Sequence, residues 1–285
     1  MKLKKLLFLV VTAGLISVSC QQEEIDNTTS NTEPVATENQ DKISKEVLAK
    51  LKALNLNIED VELSEFRLPD GTKQQSYIVE GDIAISAEQL DVMQPGNITT
   101  KQYRTYNLVS SPRNINIVGW TGTGYDQNLT QKQKDALQAA VDNYNDLEIG
   151  LSFTLEFSTN QSAADILIFQ NPNGSAGGVA GFPSNGDPYG FVQIFSGMEQ
   201  FSLGTNTHVI THEIGHTLGL RHTDWFTRES CGRPSFGELA NPSGAVHIPG
   251  TPMRLDPESV MLSCFGLGES GEFGSNDIKA LEYLY

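Results

Sequence analysis

This 285-residue chain is short of positive charge: 19 Lys and Arg stand against 35 Asp and Glu, a formal net charge of −16. Phosphate backbones are bound by basic surfaces, so nucleic acid is excluded as a partner. Long apolar runs are missing after residue 20, and the mean hydropathy is −0.27, which excludes a protein that crosses a membrane repeatedly. Cysteine and histidine are also rare, with three Cys and five His in the whole chain, so where each one falls is informative. A hydrophobic content of 38% is enough to bury a core, with room for one full domain and a smaller unit.

The N-terminus supplies the one apolar run. Lys2, Lys4 and Lys5 precede an apolar stretch over 6–18, the charged-then-apolar layout of a secretory signal and too short for a comfortable span. It ends in Ser17, Val18, Ser19 and Cys20, which resembles a bacterial lipoprotein signal in which Cys20 is acylated, although Ser17 stands where that pattern prefers Leu. An ordinary signal cleaved near the same point is the alternative. Acyl chains on Cys20 would tie the protein to a membrane, and Gln21, Gln22, Glu23 and Glu24 resemble the acidic tag that sends some lipoproteins to the outer face of the outer membrane. The expected location is therefore that of an exported bacterial lipoprotein at the outer membrane or cell surface, and otherwise that of a secreted protein.

Export changes how the remaining cysteines read. In an oxidising compartment Cys231 and Cys264 form the one intramolecular disulfide open to the processed chain. Its loop of about 34 residues assigns the bond roughly 3.5–4 kcal/mol at best on chain-entropy grounds. Pro234, Gly237, Pro242 and Gly244 make that loop poor in regular structure.

Four segments follow from patterning. Residues 1–20 read as the signal, and the polar, acidic stretch 21–42 reads as a disordered tether. Residues 43–100 carry a helical pattern over 43–54 and strand-like runs at 77–79 and 83–85, a small α+β segment. Residues 101–285 form the main domain: a strand near 115–118, a helix over about 130–147, strands near 153–157, 166–169 and 191–194, and a helix from near Thr207. The fold class is α+β, a mixed sheet with helices packed against it. At the C-terminus, Ile278, Leu281 and Leu284 fall at helical spacing behind a Ser275 or Asn276 cap.

The chemistry lies in the run HEIGHTLGLRHTD over 212–224. His212 and His216 are four apart, so a helix projects both imidazoles from one face at a separation one Zn²⁺ can bridge. Glu213, beside a ligand, reaches a metal-activated water without coordinating the metal, the place of a general base. Gly219 can take positive φ and end the helix, and the returning chain brings His222 to the site. Three neutral His ligands leave a fourth position open, as catalytic rather than structural zinc sites do. The short HExxH string is weakly specific; the extended one holds three of the five histidines within 11 positions.

This pattern resembles that of the metzincin metallopeptidases, HExxHxxGxxH followed by a Met-containing turn. Met261, 39 residues after His222 and within Ser259–Val260–Met261, resembles the Met of that turn; Met253 is the competitor. The HEIGH form and the Ser263, Cys264, Phe265 run after the turn resemble, more narrowly, the dual-action HEIGH metallopeptidase family, over roughly residues 75–285. The resemblance implies a metzincin-like zincin: a five-stranded twisted mixed sheet, an active-site helix, a zinc cleft, and an irregular C-terminal lobe ending in a helix. It also implies that an edge strand pairs with extended substrate, for which Tyr189, Gly190, Phe191 and Val192, within 189–195, are the candidates. Ser263 stands where some metzincins carry a Tyr, so a Tyr-assisted mechanism is not supported. Asp224 orients a ligand or the turn, or is an ordinary loop carboxylate; His208 and His247 read as structural.

The expected function is that of a zinc-dependent endopeptidase with one catalytic ion, acting on extracellular proteins or peptides as a monomer. Calcium sites are not readable. The segment 43–100 is a pro-region or a permanent accessory; lacking Cys, it cannot plug zinc with a thiolate, and an acidic residue is the alternative. A binding module that retained the shell is the rival class, and Glu213 argues against it, because a retired enzyme has no use for the base. Hydrolysis of a cell-wall amide is a third class, which the third His and the Met turn disfavour.

Overall fold

The computed structural model describes residues 43–54, 56–93, 104–225, 227–232, 248–252 and 255–285. All belong to one compact unit, Val35–Tyr285. The expected signal, tether and Cys20, as well as His247 and Met253, lie outside the described residues. No described helix is long and apolar enough to cross a membrane.

The larger layer is a five-stranded sheet. β4 (Arg113–Trp120), β5 (Leu151–Ser158), β6 (Ile166–Asn171) and β8 (Phe191–Phe195) run parallel, and the two-residue β7 (Gly178–Val179) lies antiparallel on the outer side of β8, in the order β5-β4-β6-β8-β7. Strand alternation separates two faces. Ile115, Ile117, Ile166 and Ile168 point to a core shared with the helices, while Val118, Trp120, Leu167 and Phe169 pack on the other face around Leu68.

Two helices cover the first face. α3 (Gln131–Asn145) starts at Thr130, whose hydroxyl and Gln133 close a capping box, and buries Ala136, Leu137, Ala140, Val141 and Tyr144. α4 (Leu203–Leu218) is capped by Ser202, whose hydroxyl accepts from Thr205 N. The predicted start near Thr207 is four residues late. Every residue of α4 from Thr205 to Leu218 is buried, so no polar stripe marks its beginning. The C-terminal α5 (Ser275–Leu284) forms as expected, with Gly274 rather than Ser275 or Asn276 as its cap residue.

The segment before residue 94 builds a second layer. After α1 (Lys45–Ala53), an antiparallel sheet β1-β2-β3 comprises β1 (Glu62–Arg67), β2 (Lys73–Val79) and β3 (Ile83–Ile85), and α2 (Ala87–Val92) follows. β1 escaped the sequence reading because its residues are mostly exposed or half-buried. This layer has its own core, and Phe182 of the main domain inserts into it.

Candidate metal centre

α4 places His212 and His216 one turn apart on one face, with ring centroids 4.6 Å apart. Gly219 then takes φ 109°, ends the helix, and approaches so closely that a Cβ there would stand 2.7 Å from Asn107 O. A larger residue is therefore excluded on two grounds. The reversal brings the His222 ring to within 4.9 Å of His216 and 5.2 Å of His212, centroid to centroid.

The outer nitrogen of each ring is occupied. His212 Nδ1 lies 2.7 Å from Val260 O, His216 Nδ1 lies 2.8 Å from Leu220 O, and His222 Nδ1 lies 3.1 Å from Glu80 Oε2. Acceptors at all three Nδ1 positions fix the tautomer, so each Nε2 presents its lone pair inward, as metal-binding imidazoles require. The inward nitrogens converge, with His216 Nε2 and His222 Nε2 3.2 Å apart. Asp82 completes the group: its Oδ2 is 3.0 Å from His222 Nε2 and 3.5 Å from His212 Nε2, and its Oδ1 is 3.9 Å from His216 Nε2. The four ligand atoms lie within 4.8 Å of one another.

The donor set fits a divalent cation. His212 Nε2 and Asp82 Oδ1 are buried and make no hydrogen bond, which leaves both atoms able to take a metal. Burial, aided by the two neighbouring imidazoles, holds His216 well below the usual histidine range and therefore neutral. At His222 burial works the same way, but the Asp82 and Glu80 carboxylates outweigh it and push the ring up to about 9. A proton and a metal thus compete for the same Nε2, as expected of a ligand flanked by carboxylates. Burial opposes ionisation of Glu80, and Arg221 and His222 override it, bringing the group down to about 2.

Glu213 lies on the cleft wall beside the cluster, 2% exposed, with Oε2 unpaired. Burial, and secondarily Asp82, pushes it well above the usual carboxylate range. It packs against Gly178 of β7 so tightly that a Cβ there would meet Glu213 Oε1 at 2.8 Å. Below the helix, a Cβ on Gly215 would stand 2.7 Å from Met261 Sδ, so the glycine of the HEIGH run makes room for the Met261 side chain. Met261 is 2% exposed, and its carbonyl accepts from Thr223 N at 2.8 Å. Asp277 in the first turn of α5 accepts from Ser259 Oγ at 2.6 Å and Val260 N at 2.9 Å, anchoring the turn whose Val260 carbonyl holds His212. The cleft, about 330 Å³, is lined by Asp82, Gly177, Val209, Glu213 and Phe265 among others.

The family model for the dual-action HEIGH metallo-peptidase matches residues 77–285, well over half of the chain. The chain belongs to this family. As a HEIGH metallopeptidase it is a zinc-dependent peptidase acting on proteins or peptides, and its mixed sheet, active-site helix and terminal helix form a metzincin-like fold. Solved structures it is similar to include two of myroilysin. One has 16% identity and TM-score 0.37, over 63% of this chain and 95% of that one; the other has 13% identity and TM-score 0.36, over 70% and 95%. No curated protein matches.

Within the HEIGH metallopeptidase the predicted substrate edge needs correction. Phe191 and Val192 belong to β8, which is internal; Tyr189 and Gly190 precede it, and the edge on that side of the sheet is β7. Gly178–Val179 is too short and glycine-flanked for alternation to reveal it. His208 stays outside the cluster, with Nδ1 3.9 Å from Glu269 Oε2. Asp224 accepts from Ser230 N and Oγ and from Ser263 N, so it ties the turn to the Cys231 segment, and Cys231 and Cys264 are joined as expected. Sequence reading missed Asp82 and Glu80. The one available signal was two acidic residues flanking Gly81 in a segment under suspicion as a pro-region.

Proposed function

We propose that the protein is an endopeptidase that holds one zinc through His212, His216 and His222 and cleaves extended segments of extracellular proteins with Glu213 as general base. The observation that carries this reading is the convergence of three tautomer-fixed Nε2 atoms beside an unpaired, buried Glu213 carboxylate. Zinc, when bound, supplies Lewis-acid chemistry: it acidifies a water and polarises a carbonyl. Glu213 accepts the proton of the attacking water at Oε2 and passes it to the amine that leaves. The Val260 carbonyl keeps His212 in place, Met261 packs under the helix at Gly215, and the outer side of β7 is the edge on which an extended substrate adds as a further strand. Pairing on both sides of the scissile bond favours internal cleavage.

The N-terminal run supports acylation of Cys20 and an outer-membrane or cell-surface site of action for a monomer. Cleavage of unfolded casein by the purified chain from residue 21 onward, after removal of the residues before 101, tests the reading. Wild type cuts and Glu213→Gln retains one zinc without cutting; equal cutting by the variant would remove Glu213 from its role.

A further inference from the structure

Asp82 belongs to the segment that precedes the main domain, yet its carboxylate is centred on the three inward nitrogens. It is carried there by the tight reversal Glu80–Gly81 between β2 and β3, with φ 56° and 95°. Glu80 is buried on the other side of the same histidine. Its Oε1 accepts from Arg221 Nη2 at 2.7 Å, its Oε2 meets His222 Nδ1 at 3.1 Å, and its carbonyl accepts from Arg228 Nη1 at 2.8 Å. His222 is thus held between two carboxylates of one short loop. The chain then runs along the edge next to β7: Ala180 N donates to Asp82 O at 3.0 Å, Ala84 N donates to Ala180 O at 2.7 Å, and Ile83 pairs with Ala180 in parallel. Ile78 and Ala84 bury Val179 from the same side.

We propose that Glu80–Gly81–Asp82 is a built-in plug that keeps the peptidase latent. Asp82 takes the fourth position at the metal, Glu80 locks the loop onto Arg221 and His222, and residues 82–84 cover the edge that substrate must pair with. This rests on the reading of His212, His216 and His222 as zinc ligands, and it resolves the segment as inhibitory rather than accessory. Water and an extended peptide both need space that the plug fills, so activity requires its displacement.

The test uses the whole chain from residue 21 onward with cobalt(II) in place of zinc, as wild type, Asp82→Ala, Asp82→Asn, Glu80→Gln and, as a control on the same sheet, Glu65→Gln. Visible spectra are followed on titration with acetohydroxamate, alongside metal content and casein cleavage. A plug closed in nine molecules of ten or more raises the half-saturating acetohydroxamate concentration at least about tenfold. Both Asp82 variants are therefore expected to respond at a concentration at least tenfold lower than wild type. Glu80→Gln should fall between them and wild type, and Glu65→Gln should match wild type. Asp82→Asn keeps the shape and backbone pairing, so it guards against a folding defect in Asp82→Ala. Equal half-saturation in wild type and both Asp82 variants overturns the plug, as does a chain that binds no metal. Variants that admit acetohydroxamate yet cut no casein uphold the plug and overturn the proposed activity instead.

Discussion

His208 makes the stability of this protein depend on pH in a way that can be isolated. It sits on α4 one turn before His212, 5% exposed, with Phe265 beside it at 6.4 Å between ring centroids. Burial first, and His212 second, push it down from 6.5 to about 4. Between those values the unfolded chain binds a proton that the folded chain refuses, so stability is present above 6.5 and is lost as pH falls towards 4. Integrating the two titrations gives a loss of about 2 kcal/mol at pH 5 and about 3 kcal/mol at pH 4 relative to neutral pH. Asp277 acts in the opposite direction. Burial raises it from 3.8 to about 6, so its contribution is complete below 3.8 and is lost as pH rises through 6. The wild-type curve therefore mixes the two, and the comparison with His208→Gln separates them. In urea unfolding at fixed zinc, wild type should lose roughly 2 kcal/mol more than His208→Gln between pH 7 and pH 5. Parallel losses in the two proteins would refute the argument that burial keeps His208 neutral.

Gly215→Ala forces Met261 Sδ away from a position only 2.7 Å from the new Cβ. Overpacking of about 1–3 kcal/mol, less about 1 kcal/mol of helix propensity gained, leaves a net loss of about 0–2 kcal/mol; at its centre near 1 kcal/mol the melting temperature falls by roughly 2–4 °C. Adding Met261→Ala should recover part of that difference, and a double-mutant cycle without coupling would count against the contact. Gly178→Ala pushes on Glu213 Cγ and Oε1 and on Gln193 O, all within 2.9 Å of the added carbon. Displacement of a catalytic group by about 1 Å is expected to lower kcat/KM about a hundredfold. Zinc content should not change, and unchanged kinetics would mean that Glu213 does not work from this position.

The metal centre was legible because its geometry is local. His212, His216, Gly219 and His222 are linked by one helix and one turn, so spacing alone brings them together, and the same holds for the amphipathic α3 and the strands of the buried sheet. Met261 and the Cys231–Cys264 pair were reachable through order along the chain and through the count of cysteines. Contacts made by long-range packing were not. β7 is two residues long, and Asp82 reaches the histidines across about 130 residues of sequence, carried by a layer whose strands are partly exposed and weakly patterned. Fully buried α4 hid its own start for a related reason: periodicity locates a boundary only where one face meets water.

X-ray absorption at the zinc edge of the intact chain from residue 21 onward tests the central claim most directly. The account predicts one zinc per chain with three imidazole nitrogens and one oxygen at about 2.0–2.1 Å and no sulfur, and loss of the metal in His216→Ala. A shell containing sulfur at about 2.3 Å, fewer than three imidazoles, or zinc retained in full by His216→Ala would contradict it.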